Sequence, residues 1–188
     1  MIWRAAPYSG VTCGKYGDAM GMRLLPRNLQ ELYAHSLILE RDATKRFSEL
    51  ERYMREAGMD HIADEFESIG REEREQYELL AVGTAGHELP QISPWEYSGH
   101  YLGAQADVVH APKTTREALV LAISTERRTQ NFYVDVAEHT EDDTMCAFAA
   151  EMAADEGRHI ARLERLLARE PDATAALAGS GDVLPLKP

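Results

Sequence analysis

The stretch ADEGRHIARLE, residues 154–164, decides the fold of this chain. Glu156 and His159 stand three residues apart in it, which puts both on one face of a helix. On either side, Met145, Phe148, Ala149, Met152, Ala153, Ile160, Leu163 and Leu167 recur at the i, i+3, i+4, i+7 spacing of a single buried stripe. The spacing predicts a helix over 141–169, stopped by Pro171. Its carboxylate and imidazole therefore sit where a core residue belongs.

Three further stripes lie upstream, each interrupted near its middle in the same way. The first helix is expected over 29–57, opened by an Asn28/Glu31 capping box and closed by Gly58; its stripe contains Glu40. The second is expected over 61–82, with Asp60 as N-cap and Gly83 as the stop; its stripe contains Glu73 and Gln76. The third is expected over 115–139 behind a Thr114/Glu117 capping box; its stripe contains Glu126. Any one of these glutamates alone reads as a surface residue. Four at stripe centres read as one interior layer. Leaving four unpaired carboxylates in a core would cost more than a domain's net stability of about 5–15 kcal/mol. Protons or cations must neutralise them, and two divalent metal ions balance four negative charges.

The order along the chain is a weak internal repeat: Glu40 then Glu73-x-x-Gln76, and Glu126 then Glu156-x-x-His159. The gaps between the glutamates are 33 residues in the first half and 30 in the second. Short links join the first helix to the second and the third to the fourth, so each pair is an antiparallel hairpin. About thirty residues, 84–114, separate the two hairpins and carry Pro90, Pro94, Gly99 and Gly103. A long crossover between helical hairpins is ferritin-like connectivity. Trp95, Tyr97, Tyr101 and Leu102 are expected to pin it to the bundle. The reading is all-α: an irregular extension over 1–27, an antiparallel ferritin-like four-helix bundle over 28–170, and a flexible tail over 171–188.

The segments ILERDATKRF (38–47), REEREQYELL (71–80), STERRTQNFY (124–133) and ADEGRHIARLE together resemble the four metal-ligand segments of rubrerythrin-type ferritin-like proteins. The resemblance implies that Glu40, Glu73 and Gln76 serve one metal and that Glu126, Glu156 and His159 serve the other. It makes Glu73 and Glu156 the bridging carboxylates. This chain departs from the pattern at three points. Gln76 stands where the family has histidine, and an amide oxygen is a weaker donor than imidazole for iron. Thr129 stands where the family has a further glutamate. The sequence shows no rubredoxin module, so electrons are expected from an external donor protein or from the substrate.

The bulk numbers agree with a folded domain. The chain has 188 residues, 44 % of them hydrophobic and 28 % charged, with a formal net charge of -12. That acidity argues against nucleic acid and anionic membranes as partners. Cys13 and Cys146 form no C-x-x-C pair. They are expected to stay reduced, Cys146 as a small buried apolar residue, in a cytoplasmic protein without a signal peptide. A homodimer is the expected assembly.

Carboxylate oxygens with one or two nitrogen donors suit iron, and also allow manganese or zinc. The expected function is Fe(II) oxidation with reduction of peroxide or dioxygen. Tyr77 or Tyr133 could supply a proton or an electron; packing with a satisfied hydroxyl is the default for both, and for Tyr33. The rivals are a non-catalytic iron-binding or storage protein, a hydroxylase needing an apolar pocket, and a metal-free bundle with protonated carboxylates. Glu72 and Glu75 are read as solvent-facing, and Gly70 as a mark of close helix approach or of an opening beside the site.

Overall fold

The computed structural model describes residues 25–93, 112 and 114–170. Within them the chain forms four helices: α1 (Leu29–Glu56), α2 (Asp60–Gly83), α3 (Thr115–His139) and α4 (Asp143–Leu167). The expected all-α bundle is what forms.

The helix starts follow local chemistry. Asn28 Oδ1 accepts from the Glu31 N–H at 2.9 Å, and Thr114 Oγ1 accepts from the Glu117 N–H at 3.1 Å. Each cap occupies backbone donors that the first turn leaves without intrahelical partners. Two boundaries differ from expectation. Asp60 lies inside the first turn of α2, not at its N-cap, because Gly58 at φ 73° reverses the chain one residue earlier and Met59 takes the cap position. The fourth helix begins at Asp143 and not at the expected Glu141, because Asp142 caps it, accepting from both the Thr144 and Met145 N–H groups.

The α1–α2 and α3–α4 hairpins pack tightly within themselves, and the two hairpins approach each other more loosely. At Gly70 an added Cβ would lie 3.0 Å from Phe47 Cβ, so the residue marks close approach of α1 and α2 and not an opening. Arg55 ties the same pair on the outside through Asp64 and Glu67. Gln130 of α3 donates to the Ala153 carbonyl of α4 at 3.1 Å.

The apolar core is split in two. Leu32, Leu39, Leu80, Phe132, Tyr133, Val136, Met145 and Met152 fill one end. Phe47, Leu50, Ile62, Phe66, Ile69, Leu119, Ile123, Ile160 and Leu163 fill the other. Each helix passes from one cluster to the other through its interrupting glutamate.

Cys146 is buried, as expected, but it is disulfide-bonded. This corrects the reading of Cys146 as a reduced thiol. Spacing along a sequence does not reveal which thiols a fold brings within bonding reach. The crossover tyrosines Tyr97 and Tyr101, Trp95, Leu102, the first 24 residues and the segment after Glu170 lie outside the described residues.

Candidate metal centre

Glu40, Glu73, Glu126, Glu156 and His159 are all buried, none more than 3 % exposed. They come from all four helices, so the layer depends on the bundle and not on any one segment. Glu73, Glu126, Glu156 and His159 each offer a donor atom within 4.8 Å of the others. His159 Nδ1 faces the carboxylates: it lies 2.7 Å from Glu73 Oε1 and 3.3 Å from Glu126 Oε2.

Glu40 flanks this group. Its Oε1 accepts from the Tyr133 hydroxyl at 2.8 Å, while its charge and carboxyl meet those of Glu73. Gln76 is half-buried, and its Nε2 donates to Asp155 Oδ2 at 2.5 Å. A carboxylate accepts only, so the amide nitrogen must be the atom facing Asp155, which leaves the carbonyl oxygen as the free donor of Gln76. Thr129 is buried, its hydroxyl turned back to the Thr125 carbonyl at 3.4 Å. Of the two tyrosines proposed for chemistry, Tyr133 is fully buried against Glu40, whereas Tyr77 is only half-buried on α2. Tyr33 packs edge-on against Phe148.

The electrostatics are those of charges withheld from water. Burial pushes Glu40 well above the ordinary carboxylate range, and the neighbouring Glu73 adds to it. Burial does the same to Glu156, helped by the charges of Glu126, Glu73 and Glu40. Glu126 is raised by burial and partly relieved by its hydrogen bond from His159. For His159 burial acts downward, but Glu126 and Glu73 outweigh it and push the imidazole up to about 10.

The layer has oxygens to spare. Glu40 Oε2, both oxygens of Glu73 and Glu156 Oε2 are buried without a directed hydrogen bond. Buried polar atoms are ordinarily satisfied, so these oxygens, of which Glu73 Oε1 and Glu156 Oε2 lie nearest the imidazole, fit cations sitting among them. The donor set is oxygen-rich with one imidazole, one fewer than the two Glu-x-x-His pairs of a two-ion carboxylate bundle, because Gln76 takes the second place.

Sequence reasoning missed the outer rim. Glu72, expected in solvent, is partly exposed but accepts from His159 Nε2 at 3.3 Å and from Arg162 Nη1 at 2.6 Å. Asp155 was not singled out at all. The available signal was the acidic residue directly before each E-x-x-(H/Q) glutamate: Glu72-Glu73 and Asp155-Glu156. Residues 72 and 76, like 155 and 159, are one turn apart on the face turned to the opposite hairpin. The other histidines stay away from the layer. His35 stacks near Phe132, and His61, His87 and His139 are exposed; His100 and His110 lie outside the described residues. A surface pocket of about 360 Å³ lies along α3 and α4 near Val120, Ile123, Arg127 and Leu167, away from the carboxylates.

A buried carboxylate–histidine layer held across an antiparallel four-helix bundle is the architecture of a ferritin-like protein. The chain belongs to the rubrerythrin family, whose model, described as Rubrerythrin, matches residues 31–168. A solved structure of an uncharacterised conserved protein from Magnetospirillum magnetotacticum MS-1 is similar at 25 % identity and a TM-score of 0.69. The match covers 77 % of this chain and 97 % of that one. No curated protein matches this chain. Among the described residues no helix is long and apolar enough to cross a membrane.

Proposed function

We propose that the layer binds two divalent metal ions, iron in preference, and that the protein oxidises Fe(II) while peroxide or dioxygen is reduced. One observation carries this reading: Glu73, Glu126, Glu156 and His159 offer donor atoms within 4.8 Å of one another in the core, and buried oxygens of Glu40, Glu73 and Glu156 are left without hydrogen bonds of good geometry. In it Glu40, Glu73 and Gln76 would hold one ion and Glu126, Glu156 and His159 the other. Two ferrous ions bound there would supply the electrons for the reduction.

The rest is work for the chain's own residues. The apolar clusters at both ends of the layer exclude water and strengthen each charge–charge contact inside. Tyr133 holds Glu40 by its hydroxyl and keeps a proton at the edge of the layer. Electrons for repeated turnover would come from a separate donor protein, and a homodimer remains our expectation for the assembly.

A second reading, metal binding or storage without turnover, draws support from Gln76. Its amide oxygen is a weaker ligand than the imidazole on the opposite helix, which makes the two ion positions unequal.

Metal analysis after aerobic purification, followed by an Fe(II) oxidation assay with peroxide, separates the two. About two iron atoms per chain with turnover supports the catalytic reading. Tight metal without turnover supports storage, and a chain that takes up no divalent metal overturns both.

A further inference from the structure

Two carboxylates outside the layer cross between the hairpins in the same way. Glu72 of α2 accepts from His159 Nε2 on α4, and Asp155 of α4 accepts from Gln76 Nε2 on α2. Each immediately precedes a buried glutamate of its own helix, and each is gripped by an arginine of α4. Arg162 donates to Glu72 and Glu65 at 2.6 Å and to Ser68 at 2.9 Å. Arg158 pairs with Asp155.

We propose that Glu72 and Asp155 are a crossed pair of positioning residues: Glu72 fixes the His159 ring with Nδ1 toward the layer, and Asp155 fixes the Gln76 amide with its oxygen free.

The argument is geometric. A neutral imidazole that donates Nε2–H to an acceptor carries its lone pair on Nδ1, so once a cation displaces the Nδ1 proton that now faces Glu73 at 2.7 Å, that nitrogen is the one left to bind it. A partner on the outer nitrogen sets both tautomer and ring angle, and its loss typically costs 10- to 100-fold in metal affinity. Asp155 performs the same service on Gln76, where an amide free to flip would present N–H groups to a cation. Arg162 keeps Glu72 in place, because Glu65 and Ser68 fix its guanidinium from two other positions along α2. The crossing also locks the looser interface between hairpins at the level of the layer.

This assignment rests on the metal-binding reading, and the test separates the two. The full chain, freed of metal, is titrated with Co(II) by calorimetry and visible absorption, with circular dichroism as the check on folding. The wild-type chain is expected to take two ions. Glu72→Ala should weaken one binding event about 10- to 100-fold and shift the cobalt bands of the nitrogen-containing site. Glu72→Gln, whose carbonyl still accepts from Nε2–H, should restore most of that affinity. Asp155→Ala should weaken the other event. If Glu72→Ala does not fold, Glu72→Asp is read in its place; one methylene shorter, it cannot reach His159 and Arg162 together and should also bind less tightly. Wild-type affinity and an unchanged spectrum in the folded Glu72 and Asp155 variants would overturn the assignment. Failure of the wild-type chain itself to bind Co(II) would sink the metal reading instead.

Discussion

Tyr133 donates its hydroxyl hydrogen to Glu40 Oε1 at 2.8 Å, joining α3 to α1 across the centre of the bundle. Both residues are fully buried, so neither has water as an alternative partner. Tyr133→Phe leaves Glu40 with two unpartnered oxygens. The metal-free protein should lose about 1–3 kcal/mol. Urea unfolding in the presence of a chelator measures it, and an unchanged midpoint would show that the bond contributes nothing.

The pH dependence has a definite sign. Glu40, Glu126 and Glu156 keep protons in the folded state that the unfolded chain has lost above about pH 4.5. The folded state thus binds more protons, and stability falls as pH rises. His159 acts in the same direction. Its raised value, about 10 against 6.5, gives stability that is fully present below pH 6.5 and lost as pH rises through 10. The metal-free chain should therefore be most stable on the acid side and weaken steadily from pH 5 to pH 9. A midpoint that rises over that range would contradict the electrostatics described here.

Metal binding should reverse that trend. Ligands must shed protons to hold a cation, so the stabilisation added by a divalent ion grows with pH and binding releases protons. Calorimetry in two buffers of different ionisation enthalpy counts them. No proton release at pH 6 would mean that the carboxylates are already ionised without metal.

Glu156→Gln should separate stability from binding. It removes a carboxylate that must take up a proton to be buried in the metal-free layer, while its neighbours can accept from the new amide. The metal-free protein should gain about 1–3 kcal/mol, and metal uptake should fall sharply. A variant both less stable and fully loaded with metal would show that Glu156 acts only in packing.

Gly70→Ala tests the close approach of α1 and α2. Alanine favours a helix by about 1 kcal/mol over glycine. Here its methyl would meet Phe47 Cβ at 3.0 Å, an atom fixed to the backbone of α1. Overpacking of this kind costs about 1–3 kcal/mol, so a net loss is expected. A higher melting temperature would mean that the hairpin opens easily.

Much of the molecule is written locally. The helix repeat, the Asn28 and Thr114 caps and the Gly58 turn depend on neighbours within one or two turns, so periodicity and capping chemistry place all four helices. The interruption of each stripe by one glutamate is likewise visible in sequence, because burying a charge contradicts the pattern around it. Tertiary structure decided what those charges meet. Glu72 follows the pattern of a solvated charge, and its place directly before Glu73 only hints at another role; Arg162 and His159, which bind it, come from α4, far along the chain. Asp155 facing Gln76 and Tyr133 reaching Glu40 have the same origin: they depend on the register between helices far apart in the chain, which local spacing does not encode.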